Sequence, residues 1–228
     1  RNGVPVVILS HRKREFLPRA VASLRALGHA ITDVVVVDDS GDANHHQWLD
    51  DHGYQFSLSG VSGNKGYLKA MNVVWETARA LADEAGVESV LLWEEDFIAT
   101  RKFSTAHMRA VLHRNEGLAH LNLQRNPVYK IERRFGYLES HNRRGYGLTR
   151  NSDDGIPWVG RRTPFTTNPG LIRREVLDID WPTRTDCDAV EGGAEPAMGA
   201  HLEHEGYYFG WLGAWNTPYT RHIGDDRK

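Results

Sequence analysis

The first 123 residues alternate short β-branched runs with longer segments of helical periodicity, and this alternation constrains the fold more than anything else in the chain. Val4–Ser10 reads as a first strand, after which Leu17, Val21 and Leu24 recur at helical spacing and Gly28 supplies a stop. Thr32–Val37 is apolar on both faces, as an interior strand of a parallel sheet requires, and it ends at Asp38-Asp39. A short helix over His45–His52, a short strand over Tyr54–Leu58 and a Gly/Ser loop over Ser59–Gly66 follow. Leu68, Met71, Val74, Trp75, Ala78 and Leu81 mark the clearest amphipathic helix. The strand Ser89–Trp93 then runs into Glu94-Glu95-Asp96, and a helix over Phe103–Arg114 and a strand over Leu118–Leu123 complete the series. The expected class is α/β: a Rossmann-like, mostly parallel central sheet flanked by helices.

The periodicity is lost between Gln124 and Thr166, where Arg, Gly, Asn and Tyr accumulate, so long loops or a small insertion are expected there. An extended Phe165–Ile172, a helix through Ala194–Glu205, an aromatic run Tyr207–Trp215 and a polar tail close the chain. Tyr207, Tyr208, Trp211 and Trp215 suit either core packing or stacking on a sugar or base.

At 228 residues, with 40% hydrophobic and 25% charged residues, the chain is sized and composed for one soluble domain with a sizeable core. Its longest apolar runs, Val34–Val37 and Val90–Trp93, fall far short of the roughly 20 residues that cross a bilayer. The chain starts at Arg1, which is compatible with removal of an upstream segment. Cys187 stands alone and forms no internal disulfide, which fits a cytoplasmic protein with an inert thiol. The net charge of −2 hides an asymmetry: residues 125–174 hold eleven Lys and Arg against four acids, a net +7, leaving −9 for the rest. Such a basic segment is either a solvated face or a field that attracts a polyanion or a phosphorylated molecule.

In open parallel sheets, ligands bind beyond the carboxyl ends of the strands. Three expected strands end there in polar residues: Ser10-His11-Arg12, Asp38-Asp39-Ser40 and Glu94-Glu95-Asp96. One such carboxylate is often only a helix cap, but acids on neighbouring strand ends suit the hydroxyl and N–H donors of a nucleoside together with a metal ion.

In order along the chain, "VPVVILSHRKREFLPRAVASL", "VVVVDDSGD", "NKGYLKAMN", "LLWEEDF" and "TTNPGLIRREVL" resemble the GT-A glycosyltransferases, family 2 in particular. The resemblance covers most of the chain and implies one GT-A-like domain, residues 1–123 binding a nucleotide-diphosphate sugar and 124–228 supplying acceptor binding and catalysis. It implies that Asp38 or Asp39 contacts the nucleoside, with Ser10, His11 and Arg12 on the neighbouring turn. Asn64, Gly66, Ala70 and Asn72 match the stretch that lies beside the nucleotide, where Lys65 and Lys69 reach phosphate. Glu94-Glu95-Asp96 stands in the place of the family's Asp-x-Asp metal motif, which implies Asp96 as a direct ligand of Mn2+ or Mg2+, Glu94 as a second contact and Glu95 beside the donor. The late histidine of several such enzymes corresponds to His222. The family's Glu-Asp pair falls on Glu195 and Pro196, a departure that makes Glu195 the first candidate for the catalytic base, Glu191 the second and Asp188 the third.

The implied activity is metal-dependent, inverting transfer from a nucleotide-diphosphate sugar, UDP favoured, to an acceptor hydroxyl. The basic segment suggests an anionic acceptor: DNA carrying hydroxymethylated bases, as in a phage in its host's cytoplasm, or a phosphorylated glycan or lipid. Two other readings remain open. A sugar-phosphate nucleotidyltransferase would carry a Gly-rich grip after its first strand, where this chain has Ser10-His11-Arg12-Lys13-Arg14. An inactive GT-A scaffold that binds carbohydrate or nucleic acid would tolerate Pro196.

Overall fold

The computed structural model describes residues 3–29, 31–60, 66–126, 149–153, 155–161, 165–189, 193–213 and 218–224. Five strands build the half that carries the candidate site or its immediate neighbours: β1 (Val4–Ser10), β3 (Ile31–Asp38), β4 (Gln55–Leu58), β5 (Ser89–Glu94) and β12 (Gly170–Arg173). β1 lies between β3 and β5, and β4 pairs outside β3, all in parallel. Beyond β5 the sheet turns mixed. β12 runs antiparallel between β5 and β8 (Leu118–Leu123), β13 (Tyr208–Leu212) runs parallel to β8, and the hairpin of β10 (Thr149–Asp153) and β11 (Ile156–Arg161) forms the other edge. The nine strands stand in the order β10-β11-β13-β8-β12-β5-β1-β3-β4. Parallel pairing is thus concentrated in the first half, where βαβ alternation is plainest, and the hairpin occupies part of the stretch expected to be loops.

Period-two alternation divides the core between the two faces of the sheet. Val4, Val6 and Ile8 of β1 and Leu91 and Trp93 of β5 pack with Leu17 and Leu24 of α1 (Leu17–Leu27) and Met108 of α4 (Thr105–Arg114). Val7, Val90 and Leu92 point the opposite way, onto Met71, Val74, Trp75 and Ala78 of α3 (Tyr67–Ala85) and Met198 and Leu202 of α6 (Ala194–His204). Trp211 and Phe209 of β13 are fully buried, which assigns Trp211 of the aromatic run to the core; Trp215 lies outside the described residues.

Helix starts follow their caps. Asp42 accepts the amide of Asn44 to open α2 (Ala43–Asp51). Ser104, extended at φ −117°, ψ 114°, caps α4, which starts at Thr105, two residues later than the expected Phe103, because Phe103–Ser104 pairs as β7 with β2 (Gly28–His29). Thr183 and Asp186 form a reciprocal capping box on α5 (Arg184–Asp188). A separate three-stranded sheet sets β14 (Thr220–His222) between β6 (Phe97–Ala99) and β9 (Arg125–Asn126). It brings the late histidine beside the end of β5. Among the described residues, no helix is long and apolar enough to cross a membrane.

Candidate active site

Register places the polar strand ends at one edge of the sheet. Ser10 pairs with Asp38 and Leu9 with Glu94, so the carboxyl ends of β3, β1 and β5 lie side by side. A cavity of about 190 Å³ opens there, lined by Leu9, Ser10, His11, Lys13, Tyr67, Glu94, Glu95 and Asp96. Asp38 and Asp39 lie on the next strand end, outside that lining.

Within the acidic turn the three carboxylates have three different surroundings. Glu95 is turned inward and buried; its oxygens accept from the Ser10 hydroxyl at 2.6 Å, the His11 amide at 2.6 Å and the Lys13 amide at 3.2 Å. Burial pushes its carboxyl up, and the hydrogen bonds from Ser10 and His11 oppose the shift. Glu95 therefore fastens the turn after β1 to the end of β5, with the Ser10 hydroxyl and the His11 amide engaged in the same fastening.

Asp96 faces the cavity. Its Oδ2 lies 2.5 Å from the Lys13 ammonium and 3.3 Å from His222 Nε2. Burial works to raise its pKa, but the hydrogen bond from His222 and the charge of Lys13 prevail and hold it down at about 2. His222 is braced edge-on against Phe97, with ring centroids 4.9 Å apart. A carboxylate oxygen and an imidazole nitrogen at that separation fit two adjacent ligands of one divalent ion. Among the described residues, no third His, Cys, Asp or Glu completes a cluster, so such an ion would draw its other ligands from phosphate oxygens and water. Lys13 holds the same oxygen, and its side chain, 36% exposed, has room to swing aside.

Glu94 belongs to a separate group centred on Thr167. The Thr167 hydroxyl oxygen is 2.5 Å from Glu195 Oε1, 2.9 Å from Glu94 Oε1 and 3.0 Å from the Tyr67 hydroxyl, while the Thr167 amide donates to the same Glu195 oxygen at 2.6 Å. A hydroxyl has a single proton to donate. Burial, then the charges of Asp96 and Glu195, push the Glu94 carboxyl up to about 8, which favours the protonated form, able itself to donate. The Tyr67 hydroxyl is raised well above its ordinary value by enclosure of that end of the side chain and by Glu195 and Glu94, although the residue as a whole is 38% exposed.

The remaining sequence candidates are distributed as follows. Asp38 is fully buried; its Oδ2 takes the Ser40 amide and hydroxyl at 3.2 and 2.5 Å and lies 3.0 Å from His46 Nε2, and its Oδ1 lies 3.5 Å from His45. Asp39 uses Oδ1 to accept from Ser59 at 2.6 Å. Arg12, at φ 62°, braces the neighbouring loop through the Ser40 carbonyl at 3.2 Å and Asp42 at 3.4 Å. Gly66 opens α3 at φ 89°, ψ 157°, and a Cβ there would meet nothing within 4 Å, so the backbone angle, rather than crowding by the protein, requires glycine. Lys69 is exposed on the first turn of α3 and lines a second cavity of about 440 Å³ with Tyr67, Arg184, Cys187, Asp188 and Gly193. Asn72 bonds back to the Leu68 carbonyl at 3.1 Å. Asn64, Lys65 and Glu191 lie outside the described residues.

Sequence reasoning missed Lys13, Tyr67 and Thr167. Lys13 was legible as part of a basic turn after the first strand, and Thr167 as part of "TTNPG", but nothing in the sequence says that residues 67, 94, 167 and 195 meet. The basic segment also divides: Arg173 donates to the carbonyls of Leu112, Asn115 and Leu118, and Arg174 is paired with Asp83 and Asp178. Arg173 pairs with Ser89, at the opposite end of β5 from Glu94.

No protein-family model matches this sequence, and no curated protein matches it. Among solved structures it is similar to S. aureus TarS 1-349 in complex with UDP, at 14% identity and a TM-score of 0.57 over 96% of this chain and 60% of that one. It is similar to the same protein in complex with UDP-GlcNAc, at 16% and 0.54 over 97% and 60%. It is also similar to the mannosyltransferase PcManGT from Pyrobaculum calidifontis in complex with GDP-Man and Mn2+, at 15% and 0.55 over 95% and 55%. The chain spans roughly three-fifths of these neighbours' length or less. Identity this low speaks for architecture alone, and the architecture is the GT-A fold that the order of motifs along the chain resembles.

Proposed function

We propose that this chain is a metal-dependent, inverting glycosyltransferase that moves a sugar from a nucleotide-diphosphate donor, UDP-linked in the first instance, to an acceptor hydroxyl. The observation that carries the reading is the meeting of Asp96, His222 and Lys13 at one sheet edge, beside the half-buried Glu94–Thr167–Glu195 group, in a fold whose solved neighbours hold UDP-GlcNAc or GDP-Man. Asp96 and His222 would hold Mn2+ or Mg2+, with Glu94 in reach through water; bound there, the ion would neutralise the leaving diphosphate. Residues 1–123 bind the donor and 124–228 provide the acceptor side. Asp39, with fewer internal partners than Asp38, accepts from the nucleoside, and Asn64, Lys65, Gly66, Lys69 and Asn72 flank the nucleotide. Glu195 takes the proton of the acceptor hydroxyl as its oxygen bonds to the sugar carbon and the bond from that carbon to the diphosphate oxygen breaks. Pro196, inside the first turn of α6, replaces no intrahelical N–H bond, so the helix tolerates it while Glu195 keeps its orientation.

The test is release of nucleoside diphosphate from a panel that includes UDP-GlcNAc and GDP-Man, with Mn2+, with Mg2+ and with chelator. Turnover that needs the ion and falls about 100-fold in Asp96→Ala supports the reading. Full turnover by Asp96→Ala removes the metal assignment. Pyrophosphate formed from a nucleoside triphosphate and a sugar phosphate would replace the reading with a nucleotidyltransferase. With Arg173 and Arg174 set aside, the basic segment still carries +5, which supports an anionic acceptor such as DNA or a phosphorylated glycan or lipid. Binding to duplex DNA that weakens steeply between low and high salt is the expected sign, and flat binding rejects it.

A further inference from the structure

Thr167 belongs to no strand or helix; it lies in the extended "TTNPG" stretch just before β12, yet its hydroxyl touches three elements at once. Tyr67 is the first residue of α3, Glu94 the last of β5 and Glu195 the second of α6, and the Thr167 oxygen lies 3.0, 2.9 and 2.5 Å from them in that order. The Thr167 amide adds a second hold on the same Glu195 oxygen at 2.6 Å. Two donors from one residue onto one carboxylate oxygen fix both where that carboxylate stands and how its plane is turned. A glutamate otherwise has three rotatable side-chain bonds, and at the start of a helix it would tend to turn back toward the exposed backbone N–H groups of its own first turn. Here it is drawn across to the strand side, into the group that includes Glu94.

We infer that Thr167 is the positioning residue for Glu195, holding the carboxylate at a set distance from the donor side of the cleft by bridging it to the end of β5 and the start of α3. The stretch around Thr167 is itself anchored: Thr167 is 5% exposed, and Leu123 donates its amide to the Pro169 carbonyl at 2.7 Å. Gly170 is tight enough that a Cβ would come within 2.6 Å of His120 Nε2 and 2.7 Å of Asn122 Cα. A hydroxyl carried by such a braced segment makes a fixed reference point, which a base borne on a long side chain needs to act at a defined site. The inference rests on Glu195 being the base of the proposed transfer.

The test compares Thr167→Val with Thr167→Ser and Glu195→Gln, measuring UDP release from UDP-GlcNAc and UDP affinity by calorimetry. Valine keeps the shape and the backbone N–H and removes only the hydroxyl, so kcat should fall roughly 10- to 100-fold while KM and UDP affinity stay within about twofold. Thr167→Ser should recover most of the rate, and crystal structures should show the Glu195 carboxylate displaced in Thr167→Val and restored in Thr167→Ser. Wild-type kcat and an unmoved Glu195 in Thr167→Val, alongside a disabled Glu195→Gln, would overturn the positioning role and leave the base assignment standing. A fully active Glu195→Gln would remove the base assignment and this inference together. A parallel drop in thermal stability in both Thr167 variants, with serine giving no recovery, would reduce the residue to a packing role and also overturn it.

Discussion

Glu95 shows how a residue can stand in the middle of a candidate metal motif and do structural work. Its two oxygens receive three donors from the turn after β1, and the side chain is buried. Truncation leaves the Ser10 hydroxyl and the His11 amide without their acceptor, so Glu95→Ala should lower unfolding free energy by about 2–3 kcal/mol, read from the midpoint of urea denaturation. Glu95→Gln should recover only part of this, because an amide offers a single acceptor oxygen where the turn presents several donors. Asp96, one residue on, faces the cavity instead, and Asp96→Ala should abolish most metal-supported turnover. The residue types were legible in the sequence, and so was their place after β5. Their division of labour was not, because a strand end gives consecutive residues different directions and the partner of each comes from elsewhere in the chain.

Among the elements, the β-α alternation of the first half was readable because period-two and period-3.6 patterns are local, and β1, β3, β4, β5, α1 and α3 fall where those patterns put them. The hairpin β10–β11 and the antiparallel insertion of β12 were hidden, since strand order depends on long-range pairing that no window of sequence carries. Thr167 and Tyr67 were missed for the same reason: their meeting is a product of topology. The start of α3 offers a direct check. Gly66 sits at φ 89°, ψ 157°, a region that side-chain-bearing residues avoid, and Tyr67 follows it immediately. Gly66→Ala should cost about 1–3 kcal/mol and, by shifting Tyr67, loosen the Thr167 cluster. Hydrogen exchange at the first turn of α3 should rise in that variant while the sheet core stays protected.

For the molecule as a whole, the buried titratable groups set a pH window. His120 lies in the core, and burial holds its pKa at about 4, below the ordinary 6.5. A depressed folded-state value means that its contribution is complete above 6.5 and is lost as pH falls toward 4, a span worth on the order of 3 kcal/mol. Asp96, held at about 2 against 3.8, adds a further loss over the more acidic range. Glu94, raised to about 8 from 4.5, acts in the other direction: its contribution is present below 4.5 and is lost as pH rises through 8. Chemical denaturation across pH should therefore trace a dome, and His120→Leu should flatten its acid flank between 6.5 and 4. The Lys13–Asp96 pair bears on the whole fold as well. With an ammonium of its own chain set against that carboxylate, the molecule carries an internal counterion, and in the absence of donor, whose phosphates complete the ion's ligands, chelator should leave its melting temperature unchanged. Folding would then be independent of metal supply, and only turnover would answer to it.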